Sequence, residues 1–191
     1  MSTFSSSRIG AALAVATTLA ICSDARADDV LKPSTKPLYF TTALGPAIGF
    51  ALCDTVGHCA SGTPQTAALW WNEFGYHFSG KGDGPFLAGY FHLGGNADAV
   101  RLGVGAKFGW DISVYKKAIF IQPNTSIGYG FTSPKFAADQ HYAAWTLGAQ
   151  IKFVLSNVGI IYAQPITFEV DGNDVGVILG WDLLFGGGVQ F

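Results

Sequence analysis

One short stretch of this 191-residue chain carries residue types that could do covalent chemistry: Glu73, His77 and Ser79, in the run Glu73-Phe74-Gly75-Tyr76-His77-Phe78-Ser79. A serine beside a histidine, with a carboxylate near, would serve acyl transfer, the histidine taking the hydroxyl proton as the serine attacks. The other reactive side chains are cysteines. Cys53 and Cys59 stand five residues apart, and in an exported chain that spacing favours a disulfide closing a small loop, an unlinked pair being the alternative. A metal site is not expected there, because His58 is the one further ligand nearby and structural zinc takes four. No catalytic residue, metal or cofactor is expected from these positions.

Composition narrows the setting. Apolar residues make up 49% of the chain and charged ones 13%, against ~25% charged in a soluble domain. So few charges cannot cover a water-facing surface. The formal net charge of −2, with no basic run interleaved with aromatics, leaves no footprint for nucleic acid. The N-terminus reads as a secretory signal: Arg8, an apolar Ile9 to Ile21, and the small-x-small site Ala25-Arg26-Ala27. The apolar run is well short of the ~20 residues that span a bilayer. The bulky Ile21 before Cys22 argues against a lipoprotein signal. The expected organisation is a cleaved signal over 1–27, a periplasmic segment over 28–37 and a single domain over 38–191.

Beyond residue 37 the recurring period is two, the spacing at which side chains alternate between the faces of a sheet. Val100, Leu102, Val104, Ala106, Phe108, Trp110 and Ile112 share one face, and Arg101, Gly103, Gly105, Lys107, Gly109 and Asp111 the other. Equivalent divisions run through 38–52, 70–78, 87–93, 119–131, 145–155, 158–170 and 175–191. That makes eight strands, separated by turn-forming clusters such as Ser79 to Pro85, Gly94-Gly95-Asn96 and Asp171 to Asp174. In 158–170 the expected apolar face is Ile160, Tyr162, Ile166 and Phe168. Pro46 and Pro123 fall inside strands, where bulges or broken pairing are expected.

Eight alternating strands can close with either face inward. The bulky aromatic and branched residues are too voluminous for so narrow an interior, while Gly, Ala, Thr and Gln with scattered charges would make a poor soluble exterior. The apolar face is therefore expected to meet lipid, giving an all-β, eight-stranded antiparallel up-and-down transmembrane β-barrel. Trp70, Phe131 and Trp145 then fall towards the outer rim and Phe78 and Trp110 towards the periplasmic one, as aromatic girdles. Glu73, Arg101, Lys107, Asp111, Lys152, Glu169 and Asp182 point into the lumen, where they are expected to pair as a filling ionic network; a gated polar path is the alternative. His77 and Ser79 lie on that same wet face beside a periplasmic turn.

The chain ends on Gly186-x-x-Val189-x-Phe191, which resembles the terminal signal by which outer-membrane barrels are recognised by the assembly machinery. With the dyad repeat, it makes the whole mature chain similar to the small eight-stranded outer-membrane barrel superfamily typified by the OmpA transmembrane domain and OmpX. The resemblance implies a monomer in the cell outer membrane, with outer-membrane lipid, lipopolysaccharide and the barrel assembly machinery as partners. Glu73, His77 and Ser79 also resemble the triad of the eight-stranded lipid A deacylase PagL. No Asn follows Ser79, and a deacylase nucleophile belongs on the lipid side near the outer rim. The expected role is accordingly a non-enzymatic structural or surface-interaction protein, a small-solute channel being the second reading and a lipid-modifying enzyme the third.

Overall fold

The computed structural model describes residues 35–54, 59–60, 65–135, 138–155, 158–174 and 176–191, so the signal and most of the 28–37 segment lie outside it. Ten β-strands follow in order: β1 Leu38–Asp54, β2 Cys59–Ala60, β3 Gln65–His77, β4 Gly84–Gly95, β5 Ala99–Tyr115, β6 Ile119–Pro134, β7 Gln140–Leu155, β8 Gly159–Gly172, β9 Gly176–Asp182 and β10 Leu184–Gln190. All pairings are antiparallel, with β3 to β9 each beside the next in sequence, and β9 and β10 are two halves of one stave, interrupted at Leu183. Because β1 pairs with β3 on one side and with β9 and β10 on the other, the sheet closes. Eight staves form an up-and-down barrel, and β2 is a short addition to the end of β1.

The register sets the shape. One row of partners runs Tyr39, Gly75, Ala88, Lys107, Ser126, Thr146, Glu169, Gly180 and back to β1 at Gly49, ten residues above its start. With strands ~4.8 Å apart and ~3.3 Å per residue, this stagger tilts the staves by about 40°. An interior that narrow has room for side chains and little else. The ends are tied directly, Leu38 N–H donating to Phe191 O at 3.2 Å and Phe191 N–H to Leu38 O at 2.9 Å. That end of the barrel is called lower below, and the opposite end upper.

Burial follows the alternation. Phe40, Trp70, Phe74, Phe91, Val104, Phe108, Trp110, Ile127, Trp145 and Phe185 are exposed on the outside, and Phe78 and Phe191 lie outside at the lower rim, whereas Phe131 is only half-exposed. The inside is polar and aromatic, with Glu73, His77, His92, Lys107, Asp111, Gln122, Lys152 and Asp182 almost fully buried.

Two local expectations need correction. Ile160 and Tyr162 face inward, at 1% and 3% exposure. The cause is a bulge: between Ala149–Ile166 and Ile151–Ala163 the two residues Gln164 and Pro165 oppose only Gln150. Pro165 has no N–H to give the ladder, and the extra residue reverses the parity of everything before it. Ser79 is not in the lumen either. It sits in the exposed β3–β4 turn, whose Gly80 and Gly84 take positive φ of 69° and 81°.

The proline expectations fall out differently. Pro46 stays paired with Ala68, and its carbonyl accepts Leu183 N–H at 3.0 Å where the eighth stave is interrupted. At Pro123 the β6–β7 ladder is continuous, but the β5–β6 ladder skips from Gly109–Asn124 to Ile112–Ile121.

The β1–β2 register sets Cys53 opposite Cys59; their side chains, and the expected disulfide with them, lie outside what is described. Antiparallel partners stand ~4.5–5.5 Å apart at Cα, within the ~4.4–6.8 Å that a disulfide spans. Peptide mapping without reductant should recover a fragment cross-linked through these two residues. Quantitative alkylation of both thiols in unreduced protein would contradict it.

Candidate functional site: the lumen

Inward-facing side chains from all staves meet in a column about one side chain deep, and its charges sort by height. Lowest are His77, the last residue of β3, with Asp111, Gln122 and Lys152, each near the lower end of its strand. Asp111 is the hub. It accepts from His77 Nε2 at 2.9 Å, from Gln122 Nε2 at 2.5 Å and from Lys152 Nζ. His77 Nδ1 lies 3.2 Å from the Pro37 carbonyl, tying this group to the chain entering the barrel. Lys152 Nζ also lies 4.8 Å from the centre of the Phe120 ring, and Phe86, Phe120, Val154 and Ile160 fill this end without solvent exposure beyond 1%.

One step higher, Glu73 accepts from Tyr39 Oη at 2.6 Å and from Lys107 Nζ at 2.8 Å, and Lys107 donates again to Gln150 Oε1 at 3.1 Å. In these lower groups two carboxylates meet two ammonium groups, so charge balances inside a buried interior. Burial of ions is tolerable only on those terms.

The third group lies at the upper end. Arg101 forms a two-pronged pair with Glu169, reaches Asp171 Oδ2 at 2.9 Å, and donates from Nε to Tyr142 Oη at 2.7 Å. Its guanidinium also lies 5.4 Å from the Tyr142 ring centre. The Arg101 side chain is 16% exposed, whereas Lys107 and Lys152 are 2% and 4% exposed, so this group borders the mouth.

Aromatic rings occupy the space between, over glycines on the wet face. Trp71 stacks on Tyr90 at 4.2 Å. A Cβ at Gly103 would lie 2.3 Å from His92 Nε2, at Gly128 2.2 Å from Tyr90 Oη, and at Gly130 2.1 Å from the Tyr142 ring. Small residues on β5 and β6 are thus the seats of large ones on β4 and β7.

Six of the seven charges expected in the lumen take part in these groups: Glu73, Arg101, Lys107, Asp111, Lys152 and Glu169. Asp182 is fully buried on the inner face, yet neither of its oxygens has a hydrogen-bond partner among the described residues. Asp171, His77 and His92 were not among the seven. Asp171 reads in sequence as the first residue of an Asp-Gly-Asn-Asp turn, although the parity of Thr167 and Glu169 would have placed it inward.

Glu73, His77 and Ser79 do not assemble as a triad. His77 is bonded to Asp111 and Glu73 to Tyr39 and Lys107, while Ser79 Oγ serves its own turn, 2.5 Å from the Asp83 carbonyl. Among the described residues no group of three or more His, Cys, Asp or Glu could hold a metal ion. On the outer wall, a groove of about 540 Å³ opens over Gly89 between Phe40, Phe74, Phe91 and Val104. Asn72 Nδ2 lies buried at its side with no partner among the described residues.

No family profile and no curated protein matches this chain. Solved structures do. Neisserial surface protein A (NspA) superposes with a TM-score of 0.59 at 13% identity, over 80% of this chain and 97% of that one. The N-terminal β-barrel domain of Pseudomonas aeruginosa OprF superposes with a TM-score of 0.51 at 15% identity, over 82% and 98%. At such identities the likeness shows the fold: the eight-stranded up-and-down barrel of the outer-membrane type.

The lower pairing has a measurable energetic signature. Lys107→Met leaves Glu73 buried without its cation and should destabilise the refolded barrel by about 3–5 kcal/mol. Adding Glu73→Gln should recover much of that loss in denaturant unfolding. Additive losses in the double variant would show that the pair does not couple.

Proposed function

We propose that this chain is exported to the cell outer membrane and serves there as a closed, non-enzymatic barrel with a structural or surface-interaction role. The observation that carries the reading is the continuous outer belt of exposed Phe, Trp, Ile, Leu and Val around a lumen whose lower half is filled and charge-balanced. Such a belt is unstable in water and is what hydrocarbon requires of a barrel. Trp70 and Trp145 on the outer half and Phe78 and Trp110 on the inner are read as its interfacial girdles. The signal over 1–27 supplies export, and Gly186, Val189 and Phe191 form the assembly signal. On this topology the lower end faces the periplasm, and the Cys53–Cys59 hairpin sits at the cell surface.

The closed lower lumen favours structure over transport. Phe86 and Phe120 fill it, and the Asp111 hub ties three staves across it. A small-solute channel is the second reading, supported by the more open Arg101 mouth.

Fractionation joined to conductance tests both. The protein should partition with the outer membrane, shift its gel migration on heating, and show no sustained open state in planar bilayers. Phe191→Asp should sharply reduce the amount in that fraction, and a change at Gln190, which points inward, should do so far less. Recovery as a soluble periplasmic protein would overturn the membrane reading, and a robust open state would replace the closed barrel with the channel.

A further inference from the structure

Between the balanced lower groups and the Arg101 group lies a layer in which several buried polar atoms have no partner among the described residues. Trp71 and His92 are cross-strand partners, one inward-facing step above Glu73 and Tyr90. Asp182 stands on β9, one inward-facing step below Gly180, the partner of Glu169. Trp71 Nε1, both ring nitrogens of His92 and both carboxylate oxygens of Asp182 are buried and unbonded among the described residues. The side chains themselves are 4%, 1% and 0% exposed. Between these two sides β1 presents only Ala43, Gly45 and Ala47 to the interior. Five orphaned buried atoms on β3, β4 and β9, to either side of a strand with almost no inward side chains, mark a place that something polar fills.

Charge says what. In the lower groups Glu73 and Asp111 are matched by Lys107 and Lys152. Above them Glu169 and Asp171 share the one guanidinium of Arg101 and Asp182 pairs with no cation among the described residues, an excess of two negative charges when all are ionised. The other titratable groups facing this layer, His92, Tyr90 and Tyr142, add no fixed positive charge. An unpaired buried carboxylate costs several kcal/mol, so it is compensated either by a proton or by a bound cation. A divalent ion takes several carboxylates at once, and Asp182 is a single one.

We propose that Asp182, His92 and Trp71 enclose a binding site for a small monovalent cation, potassium or ammonium, held by the Asp182 carboxylate with water completing its shell. The ion enters from the upper mouth past Arg101. His92 offers the lone pair of its unprotonated ring nitrogen, and Trp71 donates its indole N–H to a shell water. This deepens the closed-barrel reading and rests on it: because the lower lumen is filled, the site holds an ion without passing it on.

The test uses the full mature chain refolded in detergent micelles, with its heat-dependent gel shift as the check on the barrel. The indole N–H resonance of Trp71, assigned by its loss in Trp71→Phe, is followed against potassium chloride and against ammonium chloride. N-methyl-D-glucamine chloride keeps ionic strength constant. A saturable shift with the small cations, absent with N-methyl-D-glucamine alone and lost in Asp182→Asn, is expected. Asp182→Glu, which keeps the charge, should retain saturation with altered affinity. No saturable shift in the wild-type chain would overturn the site, leaving water or a proton as the occupant. So would an unchanged isotherm in Asp182→Asn. Neither result touches the gel shift or the membrane fractionation, so the site can fail while the barrel stands.

Discussion

Closure of the sheet with a ten-residue stagger is the constraint from which the rest follows. The β1 strand must find β9 and β10 across the seam, because an open edge would leave a row of backbone donors and acceptors unpaired, which hydrocarbon does not tolerate. Eight tilted staves then enclose a cylinder too narrow for two layers of large side chains. Bulk is driven outward, and what points inward must be small, aromatic over glycine, or charged and paired. The Gly103, Gly128 and Gly130 seats beneath His92, Tyr90 and Tyr142 are that volume limit expressed residue by residue.

The same limit explains how the interior divides. At the lower end each carboxylate has an ammonium within reach, and apolar rings pack around the pairs, so this half behaves as a solid plug. At the upper end one guanidinium serves several carboxylates and is partly open to solvent. In the proposed reading the plug fixes the barrel, and any exchange with the outside is confined to the mouth.

Much of this is legible in the sequence because period two is a geometric property of a strand and survives without homologues. Arg101 to Ile112 reads correctly at every position, and most of the lumen charges follow from parity alone. Parity fails where a single residue is added. Pro165 lies inside a run that reads as one strand, and nothing local says that it opens a bulge, so Ile160 and Tyr162 read as outward when they are core. Pairing is less legible still. That Asp111 gathers His77, Gln122 and Lys152 depends on register around the whole barrel, and so does the isolation of Asp182, a property of what fails to face it.

The central claim is that the bulky face meets lipid and the charged face does not. Spin labels placed singly along β5 and β6 in the protein refolded into vesicles test it directly. At Val104, Phe108 and Ile127, which are 58%, 51% and 68% exposed, collision with oxygen should be frequent and collision with a water-soluble nickel chelate rare. Labels at the inward Lys107 and Ser126 should be shielded from both. High nickel accessibility at the three outward positions would mean that this face is wet, and the account of the barrel would be inverted.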